Sequence, residues 1–318
     1  MSKEKFLSPI PRESPKGLSR IEKSALELLQ ARRKAVEVNM ADFIGVPGYG
    51  KEQIEHHRNN IKKKLAQKER LGLLPLEQSY LLEGLMVDQI ELSNWFGENA
   101  FTIATSEYDD VFNGADLAVV IKDGETTERA TIISIDITSS APTISKKLGV
   151  IKQGIRTGQL SSISYFHSED YDPNFYGPKH EIPQVVLGVG RKTINELAEL
   201  WMSAYGLSRL RGAEENKKLS PEAREGLRKR AKVAIDKFAR HRAQILLLEE
   251  IKIQLDAFHK FAEQVNQGQA AEKLAAALDS IISILQSKRA VEIDNELLNS
   301  RDPVFLALQD AVKNFEKL

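Results

Sequence analysis

Cysteine is absent from the 318 residues, which removes disulfides, thiolate zinc sites and cysteine nucleophiles together. The same absence fits a reducing cytoplasm, where the chain is expected to reside. No apolar run approaches the ~20 residues needed to cross a bilayer, and "MSKEKFLSPIPRESPKGLSR" at the N-terminus lacks the apolar core of a secretory signal. A soluble protein without a membrane partner is expected. Net charge is also missing: 45 Lys and Arg balance 45 Asp and Glu, so the chain is not a polycation that binds any polyanion. The six histidines show no HExxH and no paired zinc spacing: His56 and His57 are adjacent on a basic helix, and His167, His180, His241 and His259 are scattered. No fixed-period repeat and no base-reading motif is present.

What is present is unevenly spread. Residues 75–206 hold 9 basic and 19 acidic residues, whereas 207–242 hold 12 basic and 5 acidic. An acidic centre beside a basic arm suits a cation site next to a phosphate-binding surface, and a solvated helix would carry the same charges.

Residues 1–18 carry Pro9, Pro11 and Pro15 with few apolar side chains and read as a flexible leader. A helical region follows over 19–74. Its first helix, "LSRIEKSALELLQARRKAVEV", has Ser19 as cap and Glu22 as the capping-box partner. A second helix is predicted over 51–70, and Pro75 opens a third that runs to about Phe96. Within 75–211 the period then changes from 3.6 to 2. "AFTIATSE", "ADLAVVIK" and "ATIISIDIT" predict an antiparallel meander, followed by the helix "TISKKLGVIKQGIRTG", the strand "SISYFHS", a polar loop with Pro173, Gly177 and Pro183, the strand "QVVLGVG" and a helix from Lys192 to Tyr205. That order predicts an α/β (α+β) core with a mixed sheet. Residues 212–318 read as wholly helical and coiled-coil-like: one very long helix through "PEAREGLRKRAKVAIDKFARHRAQILLLEEIKIQLDAFHKFAEQV", with "AAEKLAAALDSIISILQ" folding back. Such helices must bury an apolar stripe, against the core, a second copy or a partner protein.

"GVPGYGKE", residues 45–52, matches a phosphate-binding loop up to its last position. That loop needs Ser or Thr after the lysine to hold magnesium, and Glu52 would place an anion beside the phosphates. Gly45, Gly48 and Gly50 therefore read as a turn.

Strand alternation puts Ile133, Ile135 and Ile137 on one face and Ser134, Asp136 and Thr138 on the other. Asp116 alternates with Leu117 in the same way, so two carboxylates can reach one ion. Oxygen ligands of this kind suit Mg2+ or Mn2+. In its element order, with "GAD" in the second strand and "IDIT" in the third, the stretch 76–190 resembles the PD-(D/E)xK nuclease superfamily, whose core is the restriction-endonuclease-like fold. The resemblance maps the family's aspartate to Asp116, its second acid to Asp136 and its lysine to Thr138, where the pattern fails. Some members supply the lysine from the following helix.

On that helix Ile144, Leu148, Ile151 and Ile155 form the apolar stripe, with Lys147 and Lys152 flanking it and Lys146 pointing away. Lys147, about one turn in and near Asp136, is the first candidate for the displaced lysine, and Lys152 is the second. Solvated lysines snorkelling beside an apolar stripe would look the same. Glu83 interrupts the apolar stripe of the preceding helix, and a carboxylate there calls for a cation or a donor. "SEYDD" adds Glu107 as a further metal ligand, with Asp109 and Asp110 as alternatives or as turn residues.

The resemblance implies a metal-dependent hydrolase that cuts phosphodiester bonds of nucleic acid, with DNA ahead of RNA as the substrate, and with Asp116, Asp136, Lys147 and Glu83 at its centre. Arg224, Arg228, Lys229, Arg230, Lys232 and Lys237 of the basic arm would then lie along the phosphate backbone. The alternative is a nuclease-like module that no longer cuts and serves in nucleic-acid binding or assembly.

Overall fold

In the computed structural model, residues 17–122, 130–206, 219–289 and 302–315 are described; the leader lies outside them save for its last two positions. The helices are α1 (Arg20–Val36), α2 (Lys51–Arg70), α3 (Glu77–Leu92), α4 (Ala141–Arg156), α5 (Arg191–Trp201), α6 (Pro221–Ala239), α7 (Ala243–Gln264), α8 (Gly268–Arg289) and α9 (Pro303–Phe315). The strands are β1 (Ala100–Ala104), β2 (Leu117–Ile121), β3 (Thr131–Ile137), β4 (Ser161–Ser168), β5 (Asp172–Ile182) and β6 (Gln184–Leu187). The protein is a mixed α/β structure in which helix predominates. No helix of the described residues is long and apolar enough to cross a membrane.

The main sheet has the order β1-β2-β3-β6, antiparallel except for the parallel pair β3–β6. A parallel neighbour needs a crossover, and α4 with the β4–β5 hairpin makes it. Alternation then sorts the strand side chains onto two cores. Leu117, Val119, Ile133 and Ile135 face a helical layer that includes α3, α4, α7 and α9. Ala118, Val120, Phe101 and Ile103 face Phe43, Tyr49, Ile54 and the aromatic residues of β4. Because both faces are covered, Ser134 and Thr138 are buried as well as their isoleucine neighbours.

Local signals account for several boundaries. Ser19 accepts from the Glu22 N–H at 3.2 Å while Glu22 accepts from the Ser19 N–H at 2.6 Å, closing the expected capping box. The glycine-rich stretch after the 3-10 turn Met40–Phe43 is a turn into α2, with Gly45 and Gly48 at positive φ and no strand before it.

Two expectations change. Residues 172–182 form β5 instead of a polar loop, because they pair with β4 as a separate two-stranded sheet. The register shifts repeatedly along that pair, and such bulges accommodate the prolines and Gly177. The single long helix is also broken, at Arg240–Arg242. The two halves bury different faces: Phe238 of α6 stacks on Trp95, whereas α7 packs on β6. Side chains satisfy the break, since His241 Nδ1 accepts from the Ala243 N–H at 3.1 Å and the Gln244 amide donates to Ala239 O and His241 O. Burial holds His241 neutral, its pKa lowered to about 4. α8 does fold back along α7.

The edge of the sheet at β6 is closed by α7. Gln254 Oε1 accepts from the Val186 N–H and its Nε2 donates to Val186 O, both at 2.8 Å. Glu250 accepts from the Gly188 N–H at 3.0 Å. One side-chain amide thus completes the backbone pairing that another strand would have made. Gln254→Leu should destabilise the protein by about 1–3 kcal/mol, the cost of leaving buried backbone groups unpaired, measured by urea unfolding; a smaller change would show that β6 needs no such partner.

Candidate functional site

A cleft of about 540 Å³ opens at the end of the β2–β3 pair, between α3, α4 and the end of α2. The register that sets Leu117 opposite Ile135 places Asp116 across from Asp136 one step further on. Asp116 is fixed by its backbone: its N–H donates to Ile135 O at 2.9 Å, and its Oδ2 accepts from the Ile137 N–H at 2.5 Å. Asp136 is paired with Lys147, whose Nζ also donates to Ile137 O at 3.1 Å. The ammonium therefore bridges from α4 to β3 beside the carboxylates.

A third carboxylate arrives from a π-helical turn, Asp109–Asn113. Asp109 anchors that turn. Fully buried, it accepts from the N–H groups of Ser164 and Tyr165 and from Ser106 and Asn113. With Asp109 turned inward, Asp110 points into the cleft. Gly114 closes the turn at φ +63, a conformation that disfavours side chains, and Gln184 of β6 donates to Gly114 O at 2.7 Å.

Glu83 also lines the cleft, deeply buried and ion-paired with Arg33 of α1. Thr138 lines it too, but its hydroxyl is engaged at the start of α4: it accepts from the Ser140 N–H at 3.1 Å and bonds the Thr143 hydroxyl at 3.0 Å.

The electrostatics are those of crowded acids. Burial, and then Asp116, push Asp110 up to about 7, against the opposing pull of Arg33 and Lys68. Asp116 is raised by burial and by Asp136, and Lys147, the Ile137 N–H and Arg33 offset only part of this. Asp136 is raised by burial despite Lys147. Glu83 is raised well above the usual range by burial and Asp116, with Arg33 opposing. Burial works against the charge of Arg33, yet Glu83, Glu37, Asp110 and Asp116 hold its pKa above the ordinary value.

The structure thus brings Asp116, Asp136, Lys147 and Glu83 to one cleft. It does not bring Glu107, which is exposed and outside the lining; Asp110, three residues on, stands there instead. No sequence signal singles out Asp110, because period-2 and 3.6 patterns say nothing about a π turn. Lys152 is also elsewhere, donating to Phe315 O at 2.5 Å and lying over the rings of Phe261 and Phe315. Arg224, Arg228, Lys229, Arg230, Lys232 and Lys237 are all exposed on α6, and none lines the cleft. α6 packs on α5 and the π turn after it, where Lys237 borders a different hollow.

Among the described residues no group of three or more His, Asp or Glu side chains forms a ready-made metal cage. The donor set still fits a hard cation, since oxygen ligands suit Mg2+ or Mn2+ and a divalent ion relieves the repulsion that raises Asp110 and Asp116. Compared with protein-family models, curated proteins and solved structures, the chain matches none of them.

Between the ordinary carboxylate pKa and about 7, folding keeps a proton on Asp110 that the unfolded chain has released. Metal-free stability therefore falls as pH rises through that window. Asp110→Asn removes the ionisation, so its melting temperature relative to the parent should climb between about pH 4 and pH 8, by roughly 2–4 °C for each kcal/mol of repulsion relieved. A difference that stays constant with pH in thermal melts would show that Asp110 ionises without penalty.

Proposed function

We propose that the cleft is the active site of a Mg2+- or Mn2+-dependent nuclease that hydrolyses phosphodiester bonds of DNA. The observation that carries this reading is the gathering of Asp110, Asp116 and Asp136 in one cleft at the end of one strand pair, with Lys147 paired to Asp136. The architecture supports it: an antiparallel β1-β2-β3 unit, a crossover through α4 and a parallel strand β6 beside β3 correspond to the order of a PD-(D/E)xK core, with α3 as its preceding helix.

Asp116, Asp136 and Asp110 would hold the ion, which when bound polarises the phosphate and lowers the pKa of a bound water. Lys147 is the group suited to orient the attacking water or to meet the charge that develops on the phosphate. It lines the same cleft as Thr138, and α4, which carries it, begins three residues after that position. Arg33 pairs with the buried Glu83 and opposes the rise of its pKa.

A second reading keeps the fold without the cutting. Lys147 donates to the Asp136 carboxylate itself, and Thr138 is committed to the α4 start. Such a self-satisfied site fits a binding or assembly module whose residues no longer reach an ion.

A cleavage assay with manganese on single- and double-stranded DNA separates the two. The nuclease reading expects cutting by the parent, a loss of about 10²–10³-fold in Lys147→Ala, comparable with removing one transition-state donor, and no rescue when Thr138→Lys is added. A parent inactive on every substrate, with activity appearing in Thr138→Lys, would establish a retired site.

A further inference from the structure

The mouth of the cleft is unlike its floor. α2 ends in a Schellman motif: the Gly72 N–H donates to Glu69 O at 3.0 Å and the Leu73 N–H to Lys68 O at 2.8 Å, with Gly72 at φ +62. That motif fixes Lys68 of the last turn at the cleft and sends Leu73 and Leu74 along its edge. Both leucines are exposed, at 58% and 43%, and Val150 of α4 on the same lining is 68% exposed. Phe112, on the π turn that carries Asp110, completes the apolar rim at 36% exposure.

Phe112 is also the outer member of a ring column. His57 stacks on Tyr108 at 4.2 Å and Tyr108 on Phe112 at 4.9 Å. His57 Nδ1 is held 2.7 Å from the Tyr165 hydroxyl, so the column is braced at its inner end. Lys64 of α2 lies over the Phe112 ring, its Nζ 4.3 Å from the centroid. On either side of it the exposed face of α2 carries Lys62, Lys63 and Arg70.

A rigid ring with a basic helix running beside it is the combination that binds unpaired bases and their backbone. In a duplex the base faces are stacked inside and unavailable to such a ring. The cleft, about 540 Å³, has the size of a pocket that encloses a small ligand. We propose that the cleft takes single-stranded nucleic acid, with an unpaired base seated on Phe112 and the flanking phosphates on Lys64 and Lys68. A base arriving on the ring displaces one flexible lysine arm, whose ammonium then meets the adjacent phosphate. This assignment rests on the nuclease reading for its catalytic floor, and it moves the backbone track from α6 to α2.

Binding is measured without cleavage, by fluorescence anisotropy of the full chain in EDTA, on labelled oligothymidylate, its duplex with oligoadenylate, and an abasic strand of equal length. Oligothymidylate should bind at least about tenfold tighter than the duplex. Phe112→Ala should weaken oligothymidylate binding about tenfold, the loss of one base–ring stack, and leave the abasic strand unchanged, while Phe112→Trp retains the parent affinity. Lys64→Gln with Lys68→Gln should lower the salt slope by on the order of one, at about 0.7 per phosphate on a single strand. Thermal melts identify any variant that fails to fold, and Phe112→Trp keeps the ring's role testable if Phe112→Ala does. Equal binding of strand and duplex, or an unchanged Phe112→Ala, overturns the assignment even if the parent cuts DNA. A retained single-strand preference without any cleavage removes the nuclease reading alone. Binding of no oligonucleotide overturns the assignment and leaves the apolar rim to a protein partner.

Discussion

Four carboxylates, Glu83, Asp110, Asp116 and Asp136, share one confined cleft in which Lys147 bridges from α4 to β3, and the surrounding architecture keeps them there against their mutual repulsion. Asp116 is tied to the Ile137 N–H, Asp136 to Lys147, and Asp110 is carried in by a turn whose own anchor, Asp109, is buried under four hydrogen bonds. Each tie uses backbone, a buried anchor or the half-buried Lys147, so relaxing the crowding would require breaking structure elsewhere. Raised carboxylate pKa values are the consequence, and sites with such perturbation are disproportionately functional.

The two layers on either face of the sheet have different tasks. The helical layer, closed by the Gln254 amide on Val186, gives β6 a fixed edge, and β6 in turn holds the π turn through Gln184. The aromatic layer supports the same turn from the other side, through Tyr108 and Tyr165. A five-residue irregularity is thereby clamped from both faces, as expected where a π segment has a role. α7 buries Leu247, Ile251, Leu255 and Phe258 within the chain, which accounts for its apolar stripe without a second molecule.

Much of this was legible in the residues. Ser19 and Glu22 announce the start of α1, the isoleucines of β3 announce its buried face, and the same alternation sets Asp136 and Asp116 on neighbouring strands. The spacing of Ile144, Leu148 and Ile155 orients α4 well enough to select Lys147 over Lys146. The misses have physical causes. Pro173 and Gly177 carry loop signals, and only tertiary pairing with β4 makes a bulged strand of them; Pro183 does lie between strands, after β5. The break before α7 has neither Gly nor Pro, since His241 and Gln244 satisfy its backbone with side chains. In the sequence Asp110 stands only as an alternative to Glu107, because a π turn advances by a period that neither strand nor helix templates contain. The rim formed by Leu73, Leu74 and Phe112 is scattered in sequence and becomes a surface only in the fold.

The central claim is that the crowded carboxylates are the ligands of a divalent cation. Calorimetric titration of Mn2+ into the full chain near pH 7, in two buffers of different ionisation enthalpy, tests it directly. An ion that coordinates these groups must displace the proton Asp110 holds at about 7, so binding should release a fraction of a proton per ion near that pH and none at about pH 9. Binding heat that is identical in the two buffers near pH 7, or no saturable heat, would contradict the claim.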